Sequence, residues 1–248
     1  MTTQVALVGG TGKLGRIIHG VIDALDGFEV RSVLGSASDL GELDGADLVV
    51  DASTPAVSIE VVRAAIDRGL NVLVGTSGWS RERIAAVRPL VTAADTGIVF
   101  IPNFSLGSAL GSALAAAAAP FFPSAEIIEA HHDRKIDSPS GTAVRTAELM
   151  IDARDVAGPF EAPHADQRAR GQQVAGLPVH SLRRPGVIAK QEVILSGAGE
   201  SLSIVHDTID SAAAYAPGIR LALPYAREAR GIVVGLENII DIGIRARP

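Results

Sequence analysis

The sequence predicts an α/β chain in two parts, a doubly wound parallel sheet followed by an α+β domain on an open mixed sheet. Three observations predict it. Short apolar runs alternate with helical patterns up to about residue 100. A glycine-rich turn, Gly9-Gly10-Thr11-Gly12-Lys13-Leu14-Gly15, leaves the first apolar run and opens a helix. After Asn103-Phe104-Ser105 that rhythm stops, and strand-like runs follow one another instead.

Taken in order, the runs 5–8, 28–34, 48–51, 72–74 and 98–101 read as strands, and 14–25, 57–68 and 81–94 as helices. Alternation at this spacing gives parallel strands joined by right-handed crossovers. Such a sheet is buried on both faces, which is why its strands are almost continuously apolar. Beyond them, 108–119 is a small-residue helix closed by Pro120 and Pro123, 125–132 a strand and 142–154 a helix. Residues 160–176 are polar and rich in Gln, Arg and Gly, and are expected to form a long loop. Runs 179–183, 192–195 and 201–206 are strand-like, and 212–227 and 232–239 are expected as helices returning the chain to the first domain. The expected domains are therefore 1–103 with 213–248, and 104–212.

The composition narrows the function classes. The chain has 248 residues, 47% of them apolar, enough for a substantial core. Mean hydropathy is +0.29, yet no run approaches the ~20 apolar residues of a membrane span. There is no cysteine, which excludes disulfides, thiolate metal sites and a cysteine nucleophile. A net charge of -6 without a Lys/Arg block argues against nucleic acid as a partner. The start, Met1-Thr2-Thr3-Gln4, runs into a strand without a basic segment. No signal peptide is expected, and the chain fits the cytoplasm.

The turn after the first strand satisfies G-x-G-x-x-G from Gly10. Glycine there permits the tight turn, the close approach of a pyrophosphate and helix–strand packing, and the helix start then faces the phosphates. This is a Rossmann-type dinucleotide site, with Gly9, Thr11, Gly12, Lys13 and Leu14 expected against the cofactor. No Gly-Lys-Ser/Thr ending follows, so a Walker loop is excluded. The second strand runs out into Gly35-Ser36-Ala37-Ser38-Asp39 with no immediate acidic residue for a ribose 2′-hydroxyl. Small residues at Gly35 and Ser36 leave room for a 2′-phosphate, with Lys13 or Arg31 to supply charge, so NADPH is expected ahead of NADH. Asp39 would reverse this if the loop folded back. Two later strand ends, Gly75-Thr76-Ser77 and Pro102-Asn103-Phe104, complete the expected cofactor contacts.

The chemistry-bearing segment is Glu129-Ala130-His131-His132-Asp133-Arg134-Lys135-Ile136-Asp137-Ser138-Pro139-Ser140-Gly141-Thr142-Ala143. Histidine is the side chain type that can change charge near neutral pH, and Ser140-Gly141-Thr142 reads as a helix start whose open N–H groups favour an anion. Adjacent histidines on a strand point to opposite faces and have no third ligand at a suitable spacing, so no metal site is expected. His131 is the expected general acid, and His132 is assigned to substrate. Lys135 either pairs with Asp133 or Asp137 or orients a substrate carboxylate and assists protonation, and the second is favoured. No G-x-S-x-G elbow supports a serine hydrolase.

Together these motifs resemble the dihydrodipicolinate reductase family of bacterial lysine biosynthesis, now called 4-hydroxy-tetrahydrodipicolinate reductases. The likeness runs nearly end to end. It includes the glycine turn, Asp51-Ala52-Ser53-Thr54-Pro55, residues 75–78, Asn103-Phe104-Ser105, the segment 129–143, His180-Ser181-Leu182-Arg183, Gln191-Glu192-Val193 and His206-Asp207. The resemblance implies a dinucleotide-binding domain and a substrate domain closing at hinges near Asn103 and Ala212, in a homotetramer built through the substrate-domain sheets. It implies NAD(P)H-dependent reduction of a cyclic hydroxy-dicarboxylate with loss of water. His131 would be the proton donor assisted by Lys135, and His132, Lys135, Ser140, Gly141 and Thr142 would be the substrate ligands. The sequence departs from the family's usual pattern in three places: Ser138 stands for alanine, Gly35 or Ser36 for an acidic residue, and Ser211 near an expected arginine. The competing readings are another NAD(P)H-linked imino- or amino-acid dehydrogenase, and a Rossmann-type redox sensor without turnover.

Overall fold

Six short strands, all parallel, carry the first sheet. They are β1 (Thr3–Val8), β2 (Phe28–Leu34), β3 (Leu48–Asp51), β4 (Asn71–Val74), β5 (Gly97–Phe100) and β11 (Gly231–Val234), in the order β11-β5-β4-β3-β1-β2. The structure, a computed structural model, describes residues 1–241 and Gly243. Helix α1 (Lys13–Asp23) links β1 outward to β2, whereas β3 lies on the other side of β1. The order therefore reverses between β1 and β3, where open α/β sheets bind their ligands. Helices α2 (Ser58–Ile66) and α3 (Arg81–Ala94) make the next crossovers, while β2 reaches β3 through a single 3-10 turn at Leu40–Leu43.

Helix α1 buries Gly15, Ile18 and Ile22, the i, i+3, i+7 stripe of an amphipathic helix. The central strands β3, β4 and β5 are buried at every residue, as a doubly covered sheet requires. Asn71 begins β4 and ties the sheet to helix α6 (Ser211–Glu228). Its Nδ2 lies within 3.0 Å of the carbonyl oxygens of Ala226, Arg227 and Ala229, and its Oδ1 accepts from Gly97 N at 2.7 Å.

A second sheet has the order β10-β9-β6-β8-β7. It comprises β6 (Ser124–His131), β7 (Gln172–Val174), β8 (Leu177–Arg183), β9 (Ala189–Ser196) and β10 (Ser201–Thr208). β6 pairs in parallel with β8 and every other pair is antiparallel, so the sheet is mixed. Helices α4 (Leu106–Ala118) and α5 (Gly141–Asp152) pack on one of its faces. The shared core is Ala115, Ala143, Ala147 and Met150 against Ile127, Val179, Val193 and Leu195, with alanines letting the helices approach closely.

The chain divides into Met1–Phe104 with Tyr215–Ile240, and Ser105–Ala214 with Asp241 and Gly243. Asp241 thus groups with the second unit rather than the first, and residues 242 and 244–248 lie outside the described residues. Two elements correct the sequence reading. Residues 232–239 are not a helix: Gly231–Val234 is an edge strand on β5, followed by a 3-10 turn at Leu236–Asn238. Their apolar spacing mimics a helical stripe, but Ile232, Val233 and Val234 are β-branched and Gly235 sits at φ 92, which a helix cannot accommodate. Within the expected loop 160–176, β7 forms a hairpin with β8 across Ala175 and Gly176, both at positive φ. That strand is a polar edge, so it carries no alternation to read.

Arg154 is 5% exposed, and among the described residues its guanidinium bonds carbonyls rather than a carboxylate. Its guanidinium donates to the carbonyls of Ala119 and Phe122 at 2.5 Å, Gly158 at 2.7 Å and Pro159 at 3.3 Å, and stacks on Phe160 at 3.9 Å. It joins the end of α4 to the loop after α5, and Arg154→Ala would strand those carbonyls. We expect this variant to lose about 3 kcal/mol in urea unfolding; a loss under ~1 kcal/mol would show that the carbonyls find other donors.

Candidate active site

In the first unit, backbone hydrogen bonds of 2.8–2.9 Å keep the strand ends level. Gly9 donates to Leu34, Ala52 to Val8, Gly75 to Asp51, Ile101 to Val74 and Gly235 to Phe100. The loops leaving this edge carry the expected cofactor residues at 9–14, 35–36, 75–77 and 102–104. Gly9 has φ 78, and a Cβ there would stand 2.4 Å from Ala52 O. A Cβ at Gly15 would stand 2.2 Å from Gly9 O. The two glycines therefore let the turn, the helix start and the neighbouring strand end close on one another. Gly12 caps α1 with no side-chain hydrogen bond, and Thr11, Gly12 and Lys13 are exposed around that helix start. This backbone cradle with an uncapped helix start fits a pyrophosphate.

A Cβ at Gly75 would stand 2.8 Å from Phe104 Cε2 and 3.1 Å from Leu14 Cδ2, so Leu14, Gly75 and Phe104 pack together. Thr76 is buried with its hydroxyl on Asp51 O at 3.3 Å, whereas Ser77 and Pro102 are exposed and Asn103 is half-buried. Gly35 and Ser36 are exposed after β2. Asp39 turns onto its own loop, accepting from Gly41 N at 2.6 Å. The Arg31 guanidinium lies beside Gly45, in the loop that enters β3, rather than at the Gly35 end of β2.

In the second unit, β6 ends in the chemistry-bearing segment. Register places Glu129 between Ser181 of β8 and Gln191 of β9, and His131 beside Arg183. Glu129 is fully buried. Its Oε2 accepts from His131 Nδ1 at 2.6 Å and from Arg183 Nη1 at 3.0 Å. Its Oε1 accepts from Arg183 Nη2 at 3.0 Å and from Ser140 N at 3.2 Å. Burial pushes this carboxyl up, but the hydrogen bonds from His131 and Arg183, with the charge of His131, outweigh it and hold it at about 2. Arg183 also donates to the carbonyl of Asp137 at 2.5 Å and reaches that of Lys135 at 3.3 Å, which ties down the loop after β6.

Ser140 caps α5, its Oγ accepting from Ala143 N at 3.2 Å, so its buried hydroxyl serves the helix. Gly141 is exposed, and nothing lies within 4 Å of where its Cβ would be, which leaves room for an anion at the helix start. Thr142 accepts at its carbonyl from buried Thr146 at 2.9 Å. His132 is half-buried, and its Nδ1 meets no hydrogen-bond partner among the described residues. Lys135 pairs with Asp137 at 2.8 Å. Burial pushes the Asp137 carboxyl up, and the Lys135 hydrogen bond and charge more than offset it, leaving it lowered. Among the described residues no group of three or more His, Cys, Asp or Glu side chains is placed to hold a metal ion. No helix among them is long and apolar enough to cross a membrane.

The family profile for the dihydrodipicolinate reductase N-terminus matches residues 3–104, and that for its C-terminus matches residues 107–240. The chain belongs to the dihydrodipicolinate reductase family. A 4-hydroxy-tetrahydrodipicolinate reductase of Clavibacter sepedonicus is 55% identical over all of this chain and 90% of its own length. One from Beutenbergia cavernae is 39% identical over 98% of this chain and its own full length. A dipicolinate-bound dihydrodipicolinate reductase from Paenisporosarcina sp. TG-14 superposes with a TM-score of 0.78 at 28% identity, over 97% of this chain and all of that one. Members of this reductase family are oxidoreductases, and pyridine-nucleotide binding accompanies the Rossmann-type first unit.

Sequence reasoning gave no role to two buried carboxylates. Glu129 opens the motif, and its paired histidine and arginine lie two and 54 residues away, so only strand pairing reveals the cluster. Asp51 is fully buried at the end of β3 and accepts from Ser53 N at 3.0 Å, Ser53 Oγ at 2.5 Å and the Ser58 hydroxyl. Ser58 in turn accepts from Trp79 Nε1 at 2.8 Å, and the indole packs on Phe100. The signal available in sequence was Asp51 followed by two serines at a strand end.

Two expectations follow. Ser58→Ala leaves both the Trp79 N–H and one Asp51 oxygen short of a partner. It should cost about 1–3 kcal/mol and change the emission of Trp79, the only tryptophan; unchanged fluorescence and stability would remove this network from the loop's support. Glu129, at about 2 when folded against 4.5 for a free glutamate, stabilises the fold above pH 4.5 and loses that contribution as pH falls through 2. The contribution is about 3 kcal/mol. Denaturation at stepped pH should therefore show a steeper acid loss for the wild type than for Glu129→Gln; equal slopes would place the depressed carboxylate elsewhere.

Proposed function

We propose that this chain reduces 4-hydroxy-tetrahydrodipicolinate to tetrahydrodipicolinate with NAD(P)H, releasing water, in the diaminopimelate route to lysine. Membership of the family supports the reaction class. The observation that carries the assignment in this chain is the bond from His131 Nδ1 to the buried Glu129, one loop before an open helix start. It joins a held acid to a place for a carboxylate, as reduction of a cyclic dicarboxylate requires.

A nicotinamide held by the first unit's strand-end loops would supply the hydride. Loss of the ring hydroxyl with a neighbouring proton, as water, gives a conjugated imine; hydride addition to it leaves an enamine, which takes a proton at carbon. His131, as imidazolium, gives that proton from Nε2, keeps the N–H electron pair and remains protonated at Nδ1 against Glu129. Lys135 assists, exchanging Asp137 for a substrate carboxylate. His132, Gly141 and Thr142 bind the dianion together with Lys135, and Ser140 does so chiefly by shaping the helix start.

The cofactor contacts are Gly9, Thr11, Gly12, Lys13, Leu14, Gly35, Ser36, Gly75, Thr76, Ser77, Pro102, Asn103 and Phe104. NADPH is favoured over NADH. Two observations support this: Gly35 and Ser36 are small and exposed, and the Asp39 carboxylate caps its own turn. With Arg31 beside Gly45, Lys13 is the cation for a 2′-phosphate. The enzyme is proposed to work in the cytoplasm as a homotetramer, with cofactor on the unit Met1–Phe104 and Tyr215–Ile240 and substrate on the unit Ser105–Ala214. Support for assembly comes from the sheet face opposite α4 and α5, which leaves Leu182 and Val205 about half exposed.

The test is nicotinamide oxidation with substrate made in place by the preceding synthase from pyruvate and aspartate semialdehyde. Synthase-dependent oxidation is expected, faster with NADPH than with NADH. His131→Gln should lower kcat by about 10²–10⁴-fold with cofactor affinity unchanged. No turnover with either nucleotide, once binding is demonstrated, would sink the assignment.

A further inference from the structure

The second unit contains a buried carboxylate that no substrate contact accounts for. Glu129 has four donors on two oxygens: the His131 imidazole, both terminal nitrogens of Arg183 and the Ser140 amide. We propose that Glu129 is the positioning residue of the acid, holding the His131 ring by its Nδ1–H so that Nε2 alone faces the substrate. This rests on His131 being the proton donor.

The geometry requires a carboxylate rather than any acceptor. Each oxygen already takes two donors, and a side-chain amide has one oxygen and one NH2. Whichever way a glutamine were turned, its NH2 would meet Arg183 and either the imidazole or the Ser140 amide. The pairing also fixes the proton. An ionised carboxylate only accepts, so Nδ1 must carry hydrogen. When the imidazolium gives up its Nε2 proton, the neutral ring left behind is the Nδ1–H tautomer, ready to be recharged at the same nitrogen. A histidine without this partner ordinarily populates both tautomers and turns about its side-chain bonds. An oriented carboxylate removes both freedoms, the role that such groups play beside catalytic and metal-bound histidines.

Arg183 completes the arrangement. Its fork neutralises Glu129 through both oxygens, so the carboxylate stays ionised in a fully buried site. The same guanidinium holds the carbonyls of Lys135 and Asp137, so the acid and the lysine loop share one anchor. Ser140 N on Oε1 adds the start of α5 to it.

The experiment is a double-mutant cycle read in kcat, substrate KM and cofactor Kd. Glu129→Gln should lower kcat by about 10²-fold, with substrate KM and cofactor Kd changed less than about 3-fold. In the His131→Gln background the same change should cost less than about 3-fold in kcat, because the group it positions is gone. A full loss in both backgrounds would make Glu129 a purely structural residue and overturn the proposal. If His131→Gln alone left kcat intact, the reading of His131 as donor would fail instead. Wild-type enzyme labelled with 15N-histidine provides a second measurement independent of variant folding. With the ring neutral, the signal lost in His131→Gln should report hydrogen on Nδ1; hydrogen on Nε2 would overturn the proposal.

Discussion

The second unit is organised by the need to keep one buried carboxylate satisfied. Paired residues on neighbouring strands share a face, so the register aligns His206, Gln191, Glu129 and Ser181 in one row across the sheet. The next two rows inward are Ile204, Val193, Ile127 and Val179, then Leu202, Leu195 and Ala125, all apolar. The row outward brings His131 beside Arg183. The helices meet this boundary with polar groups of their own. Ser105 at the start of α4 bonds His206 at 3.1 Å, Thr146 of α5 takes Gln191 at 2.9 Å, and Ser140 N takes Glu129. Moving β6 by one residue would turn Glu129 to the other face and leave these donors unmatched. The hydrophobic register and the polar row therefore specify each other.

The first unit uses a related device. Asp51, also fully buried, sits at the end of a strand and is satisfied by groups from the loop it launches, Ser53 and Ser58. In each unit a strand delivers a charge into a low-dielectric edge, and the following loop must fold back to meet it. That fixes loops which otherwise have few apolar contacts. The consequence differs by side. Around Asp51 the result is a shaped backbone beside the glycine turn, with Gly9 packed against Ala52. Around Glu129 it is a histidine with a defined tautomer.

The sheet strands, the glycine turn and the reactive segment were legible because each depends on local pattern. Continuous apolar runs, glycines at fixed offsets and a Ser-Gly-Thr helix start are readable from neighbours in the chain. The misread pieces depend on partners far away. Residues 231–234 form a strand because β5 offers an open edge, and nothing within 232–239 announces that edge. β7 exists because β8 pairs with it. The Ser140 hydroxyl caps α5, as a serine at a helix start does. Lys135 pairs with Asp137, one of the two roles that the spacing allows. Glu129 was quoted as the first residue of the motif and given no task, because Arg183 comes to it only through parallel pairing of β6 and β8.

A buried ion pair is weak evidence for stability, since desolvating both charges offsets most of their attraction, and well-packed apolar residues often serve a fold as well. The Glu129–Arg183 pair should be judged by that standard. Apolar residues in both positions would fill the same volume beside Ile127 and Val179, continuing the core outward by one row. Such a chain would lack the acceptor for His131 Nδ1, the acceptor for Ser140 N and the donors for the loop carrying Lys135. None of these three contacts belongs to the hydrophobic core, and all three orient groups of the proposed site. The charges therefore sit where the core ends and the chemistry begins, and their benefit lies in geometry more than in folding free energy. The strong depression of Glu129 fits the same view: a carboxylate held at about 2 cannot compete with His131 for the proton that the reaction consumes.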